Sequence, residues 1–231
     1  MDFGIALATA ADSWKVTKEA EELGFTHAWF YDTQMLSADC FVAMGAAAVN
    51  TRRIRLGTGV LVPSNRIAPV AANALATLNQ LAPGRIDFGV GTGFTARRAM
   101  GFGAIKIKDM ETYIHQVYGL LRRETVEFEM EGQTKKIRFL NPELELINIK
   151  DPIPTFLSAF GPKARRLTAK LGAGWIGSAS YPEREKADLE DMREAWREHG
   201  RDATDLYSVA GTGGCVLNEG ESADSPRARS I

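Results

Sequence analysis

Short apolar runs alternate along the chain with segments whose apolar residues recur at helical spacing, a pattern that predicts strands and helices in turn. Phe3 to Leu7 reads as a first strand, and a helix from about Lys15 to Leu23 stops at Gly24. His27 to Asp32 is a second strand, followed by an alanine-rich helix from about Asp39 to Val49. Arg55 to Val62 is a third, with its helix at about Val70 to Leu81. Arg85 to Gly91 is nearly continuous in apolar content, as a strand buried on both faces requires. Residues 94–108 read as a loop, and Met110, Tyr113, Ile114, Val117, Leu120 and Leu121 predict a helix from about Asp109 to Arg122.

The rhythm breaks at about residues 125–150, where alternation in Glu127 to Gly132 and Lys136 to Phe139 predicts a hairpin insertion. It resumes with a strand at Pro154 to Phe160, a helix at Pro162 to Leu171 closed by Gly172, a strand at Gly174 to Ser178 and a helix at about Pro182 to Gly200. Leu206 to Leu217 supplies a seventh strand of the repeat, and 218–231 reads as a polar loop or tail. Repeated βα units predict an α/β chain of the TIM (β/α)8 type, a single barrel domain over 1–231 truncated after its seventh strand. In a barrel the site lies at the C-terminal strand ends, which selects Asp32, Thr33, Val62, Thr92, Gly93, Phe160, Gly161 and Ser178 to Ser180 by position.

Composition narrows the classes. The chain has 231 residues, 45% hydrophobic and 25% charged, and its 28 Lys and Arg balance 29 Asp and Glu. No global basic field draws nucleic acid or an anionic membrane. No apolar run is long enough to span a bilayer, and two cysteines without CxxC spacing exclude a disulfide framework or zinc ribbon, so a cytoplasmic protein is expected. His27, His115 and His199 form no metal-ligand spacing, and each reads as structural or solvated. Cys40 reads as a buried small hydrophobe.

Three segments could carry chemistry. Gly91-Thr92-Gly93-Phe94-Thr95-Ala96 matches a GxGxxA pattern after a strand. A nicotinamide-binding fold needs a following strand that ends in an acid, and here the next regular element is a helix. A strand-end turn that lets a planar ring approach the backbone is the better reading. At Ser158 to Arg166 a strand passes into a helix start rich in cations, which oppose the helix dipole unless an anion is bound. Free N–H groups there would hold a phosphate, aided by Lys163 or Arg166; the alternative is that these side chains simply reach solvent. Gly57 and Gly59 in the third strand fit either a ligand approaching the backbone or a crowded barrel interior. Asp32 is the best-placed acid, as a weak catalytic candidate or a loop cap.

Together, RLGTGVLVP at 55–63, ATLNQLAPGRIDFGVGTG at 76–93 and SAFGPKARRLTAKLGAGWIG at 158–177 resemble the bacterial-luciferase-like monooxygenase superfamily in order and spacing. The resemblance implies an oxidoreductase that uses coenzyme F420 (a deazaflavin) or FMN in hydride transfer or monooxygenation of a small organic substrate. The GVGTG and SAFGPK turns look most like the deazaflavin branch. It implies that Asp32, Gly59, Val60, Val62, Thr92 and Gly93 adjoin the ring, with a cis Gly59–Val60 peptide. It further implies that Ala159, Phe160, Gly161, Pro162 and Lys163 form the phosphate turn, and that the chain pairs as a homodimer. Deazaflavin-dependent sugar-phosphate dehydrogenases of the superfamily carry a His and a Glu where this chain has Thr33 and Phe94, so that reaction is not expected. The missing acid–base pair motivates a second reading, a cofactor-binding fragment without turnover.

Overall fold

The computed structural model describes residues 1–179 and 182–230; Ser180, selected above by position, lies outside them. Nine strands are numbered in chain order. β1 (Gly4–Leu7), β2 (His27–Phe30), β3 (Arg55–Thr58) and β4 (Ile86–Val90) pair in parallel. β5 (Val126–Met130) and β6 (Gln133–Ile137) form a separate antiparallel hairpin. β7 (Thr155–Ser158), β8 (Gly174–Ser178) and β9 (Ser208–Gly211) continue the parallel sheet from β4. The seven-stranded sheet curls into a nearly closed barrel whose edges, β1 and β9, do not pair among the described residues. The Tyr207 hydroxyl donates to the Asp2 carboxylate across that seam at 2.7 Å.

The helices are α1 (Ser13–Glu22), α2 (Cys40–Asn50), α3 (Ala68–Leu81), α4 (Phe94–Ala99), α5 (Ile107–Leu121), α6 (Pro162–Leu171), α7 (Pro182–Glu198) and α8 (Pro226–Arg229). Asp39 caps α2 by accepting from the N–H groups of Phe41 and Val42, and Gly172 closes α6 in the left-handed region at φ 62°. Outward side chains of the strands, such as Phe30, Leu56, Phe88 and Leu157, are fully buried under helical residues such as Met44, Leu75 and Ile114. Each contributes roughly 1.5–3 kcal/mol by leaving water. No described helix is long and apolar enough to cross a membrane.

Inside the barrel, aromatic rings lie where the sequence places glycines. A Cβ on Gly57 would stand 2.5 Å from the Trp29 ring, and one on Gly174 would stand 2.3 Å from the Phe156 ring. Trp29 and Phe156 themselves meet edge-on at 5.2 Å. The crowded-interior reading therefore accounts for Gly57, and for Gly59 in part, since its Cβ would lie 2.8 Å from that of Trp29. At the N-terminal mouth, Asp87 is held by Arg55 through two hydrogen bonds of 2.6 and 3.0 Å.

Three expectations need correction. Residues 94–99 are helical rather than loop, because Gly93 turns left-handed at φ 78° and its carbonyl accepts from the Arg97 N–H. The seventh repeat strand ends at Gly211 rather than Leu217, where Gly213 and Gly214 weaken further pairing. The tail is not wholly irregular: Ser225 caps the single turn α8, its hydroxyl accepting from the Ala228 N–H.

Candidate functional site

The C-terminal strand ends open into a cleft of about 1000 Å³. It brings together Asp32, Thr33, Gly59, Val60, Val62, Thr92, Gly93, Phe160, Gly161, Pro162 and Lys163; of the described residues singled out for this site, Ala159, Ser178 and Ala179 are not on its wall. Ala159 is fully buried behind it, and its carbonyl accepts from the Trp175 indole N–H at 2.9 Å. A second cavity of about 940 Å³ lies at the opposite, N-terminal mouth, around His27, Arg55, Asp87 and Tyr207. The strand-end cleft is the better candidate for chemistry because barrel active sites sit at that face.

One wall is bare backbone. The Gly59–Val60 peptide is cis, and beyond it Leu61 bridges to Val90 of β4, the strand that β3 already pairs with. A Cβ on Gly91 would come within 2.7 Å of the Val60 side chain, and one on Gly93 within 2.4 Å of Val62. Close approach thus excludes side chains here and leaves a smooth surface suited to a flat ring.

The opposite wall is the turn from β7 into α6. The N–H groups of Gly161 and Lys163 meet no acceptor among the described residues, while Ala164 and Arg165 both donate to the Gly161 carbonyl. Open space surrounds Gly161: a Cβ there would meet nothing within 4 Å. Free N–H groups at a helix start, with the positive end of its dipole, favour an anion. Of the three nearby cations only Lys163 lines the cleft. Arg165 is buried against Asp188 and Asp191 and donates to the Phe160 carbonyl at 2.9 Å, tying the turn to α7. Arg166 faces Asp191 and Glu198 and is turned away from the cleft.

Asp32 is only 5% exposed and sits at the centre of a network. Its carboxylate accepts from the Val62 N–H at 3.1 Å, Asn65 Nδ2 at 3.2 Å and Arg66 at 2.8 Å. Arg66 also pairs with Asp39 at 2.5 Å. Burial pulls the Arg66 guanidinium down, and the hydrogen bonds and charge of Asp32 and Asp39 more than offset it, so it is held above its ordinary value. With three donors on it, Asp32 fixes the Val62 backbone more evidently than it offers a free acid. Burial, followed by the Asp32 charge, pushes the adjacent Cys40 thiol up and keeps it an inert hydrophobe. His27 stacks on Trp29 at the far end of the barrel, His115 faces Glu111, and His199 bonds the Ala195 carbonyl; none reaches the cleft.

Asn65, Arg66 and Gln34 were not legible in advance as site residues. Their side-chain partners lie 27 to 62 positions away, beyond any local pattern. The one signal was polar residues crowding a strand end, at Ser64-Asn65-Arg66.

A model of the luciferase-like monooxygenase family matches residues 5–230. The 5,10-methylenetetrahydromethanopterin reductase of Methanolobus tindarius is 28% identical over 215 residues, spanning 91% of this chain and 64% of that protein. The F420-dependent glucose-6-phosphate dehydrogenase of Beutenbergia cavernae is 33% identical over 141 residues, 58% of this chain and 40% of the relative. The chain spans less than two thirds of the length of these curated relatives. Among solved structures, the coenzyme F420 dependent tetrahydromethanopterin reductase of Methanopyrus kandleri superposes with a TM-score of 0.75 at 24% identity, covering 91% of this chain and 65% of that one. Monooxygenase RslO1 of Streptomyces bottropensis superposes at 0.76, also at 24% identity, over all of this chain and 74% of its own. These two likenesses speak to the fold.

Proposed function

The chain belongs to the luciferase-like monooxygenase family, and from that premise we propose that its strand-end cleft binds coenzyme F420 or FMN and acts on a small organic molecule. The observation that carries the proposal is the coincidence, in one cleft, of a side-chain-free wall at Gly91 and Gly93 with unclaimed N–H groups beside Lys163. Both cofactors pair a flat tricyclic ring with a phosphate, and the two walls match those two parts. Lys163 and the α6 start would hold the phosphate. Val60, Val62 and the Gly93 backbone would orient the ring, and Leu36, Phe94 and Phe160 would keep water from it. When bound in its reduced form, the cofactor supplies a hydride or reacts with oxygen. No described lining residue presents an imidazole or an unengaged carboxylate, so the proton chemistry rests on the cofactor, the substrate and solvent. The curated relative named for F420 favours the deazaflavin over FMN. A nicotinamide cofactor fits less well, since the Gly91–Ala96 turn opens a helix of six residues followed by α5 rather than by a strand.

The test is anaerobic turnover. Reduced F420 or FMN is mixed with the protein and a panel of carbonyl, imine and aromatic compounds, and cofactor reoxidation is followed by absorbance. Substrate-dependent reoxidation is expected. Binding without reoxidation across the panel, and without oxygenated product when the same panel is run in air, would instead identify a cofactor-binding chain that does not turn over.

The partner we propose is a second copy. Val42 and Val49 on α2 and Val70 and Leu81 on the adjacent α3 are exposed large apolar residues, and such a patch marks an association surface. Sedimentation is expected to give a dimer that Val42→Glu with Val49→Glu converts to monomer; a monomeric wild type would contradict it. The two unpaired cysteines fit a cytoplasmic setting.

A further inference from the structure

We propose that Gln34 is a positioning residue for the substrate end of the cleft, and that this end takes an uncharged, planar, apolar molecule. The inference rests on the oxidoreductase reading above, and it concerns this chain's residues on the β2, β3 and β4 side of the mouth.

Gln34 Nε2 donates to the Ala96 carbonyl at 2.8 Å, across 62 positions of sequence. Its Oε1 accepts from Asn65 Nδ2 at 2.7 Å, and Asn65 also donates to Asp32. One side-chain amide therefore joins the segments that follow β2, β3 and β4. The segment it secures needs an outside hold: α4 has six residues, too few to be stable alone. The Met100 N–H, which would bond Ala96 in a continuing helix, closes on Arg97 instead. Gln34 takes the carbonyl left over.

The first residue of α4 is Phe94, 59% exposed and part of the cleft wall. The cleft is also lined by Tyr31, Leu36, Val62 and Ile107, and its polar groups on this side are the neutral hydroxyls of Thr33, Thr92 and Thr95. The one carboxylate nearby, Asp32, is fully engaged, and Lys163 belongs to the α6 end. Arg98 has its guanidinium 3.7 Å from the Phe94 ring centroid but does not line the cleft. Apart from Arg98, which stands off the lining, a charged substrate group would find no free counter-charge here, whereas a flat apolar one would lie against Phe94.

The probes are 2-naphthol and its charged counterpart 2-naphthoate, titrated against the cofactor-free chain and against the chain saturated with oxidised F420 or FMN. With the cofactor bound and the α6 anion site therefore filled, wild type is expected to bind 2-naphthol at least tenfold more tightly than 2-naphthoate. Gln34→Met keeps the bulk and removes both hydrogen bonds, and should weaken 2-naphthol by about tenfold, the scale of a lost partly buried hydrogen bond. Cofactor affinity should stay within about twofold, and amide exchange over 94–99 should quicken. Gln34→Asn, which keeps the amide but shortens its reach, should behave alike and serves if the methionine variant does not fold. Equal affinity for the two probes would overturn the substrate class. Unchanged 2-naphthol binding, unchanged exchange over 94–99, or cofactor and probe affinities falling together would overturn the positioning role. If wild type binds neither cofactor yet meets the probe and exchange expectations in the cofactor-free chain, the oxidoreductase reading fails and the Gln34 clamp stands.

Discussion

Gly89→Ala is expected to lower stability by about 3 kcal/mol or more, the upper range for overpacking a filled interior, and to lower the melting temperature by roughly 10 °C in a chain of this size. The reason is backbone, not side chain. Past β3 the chain leaves the regular ladder, and the Thr58 carbonyl oxygen comes to lie 2.0 Å from where a Cβ on Gly89 would stand. No rotamer change can relieve that contact. The same region is locked from both sides, because Thr58 Oγ1 donates to the Gly89 carbonyl at 2.6 Å and the Leu61 N–H donates to it at 2.8 Å. Relief would therefore have to break the pairing that forms the mouth of the cleft. Gly161→Ala is the control: the added methyl meets nothing within 4 Å and φ is −112°, so its melting temperature should match wild type. Thermal melts by circular dichroism check both, and a wild-type melt for Gly89→Ala would show that the Thr58 turn yields.

Asp32→Ala is expected to cost about 3–5 kcal/mol in the cofactor-free protein, the range for removing one partner of a buried ion pair. It leaves the Arg66 side chain, 15% exposed, with Asp39 alone, and it orphans the buried Val62 N–H. Asp32→Asn should cost less, since with its oxygen in the Oδ2 place it still accepts from Val62 and Asn65 and only the Arg66 donor is lost outright. Denaturant unfolding of the three proteins gives the comparison. A stable Asp32→Ala protein with impaired cofactor binding would mean that the carboxylate faces the cofactor. Loss of stability without any cofactor present assigns it to the scaffold that fixes the ring wall.

Much of this architecture was open to reading from sequence because each strand carries its own signal. Ile86 to Val90 is buried at every position, and its run of apolar residues, broken only by Asp87, reports that directly. The hairpin was legible because Glu131-Gly132 punctuates two alternating runs, and both residues take positive φ, at 55° and 71°. The glycines at 57 and 59 were ambiguous for a physical reason: a missing side chain signals close approach without saying of what. Trp29, from the neighbouring strand, is the answer at Gly57, and no local pattern pairs the two. Helix α4 was missed because six residues, most of them exposed, carry no periodicity, and its hold is Gln34 from a distant loop. The turn into α6 was singled out from its cations, yet the sequence left Lys163 and Arg166 equivalent as candidates to hold a phosphate. Only the acids of α7 separate them, by claiming Arg165 and Arg166.

The most direct test of the cofactor cleft is equilibrium binding of oxidised F420 and of FMN, read by fluorescence quenching, to wild type and to Lys163→Glu. Saturable binding of at least one cofactor to wild type is expected. The reversed charge at the α6 start should weaken it by about tenfold or more, equivalent to about 1.4 kcal/mol, with the melting temperature unchanged because Lys163 lies on the open wall. Binding of neither cofactor to folded wild-type protein, or binding indifferent to Lys163→Glu, would contradict the assignment of this cleft and its phosphate turn.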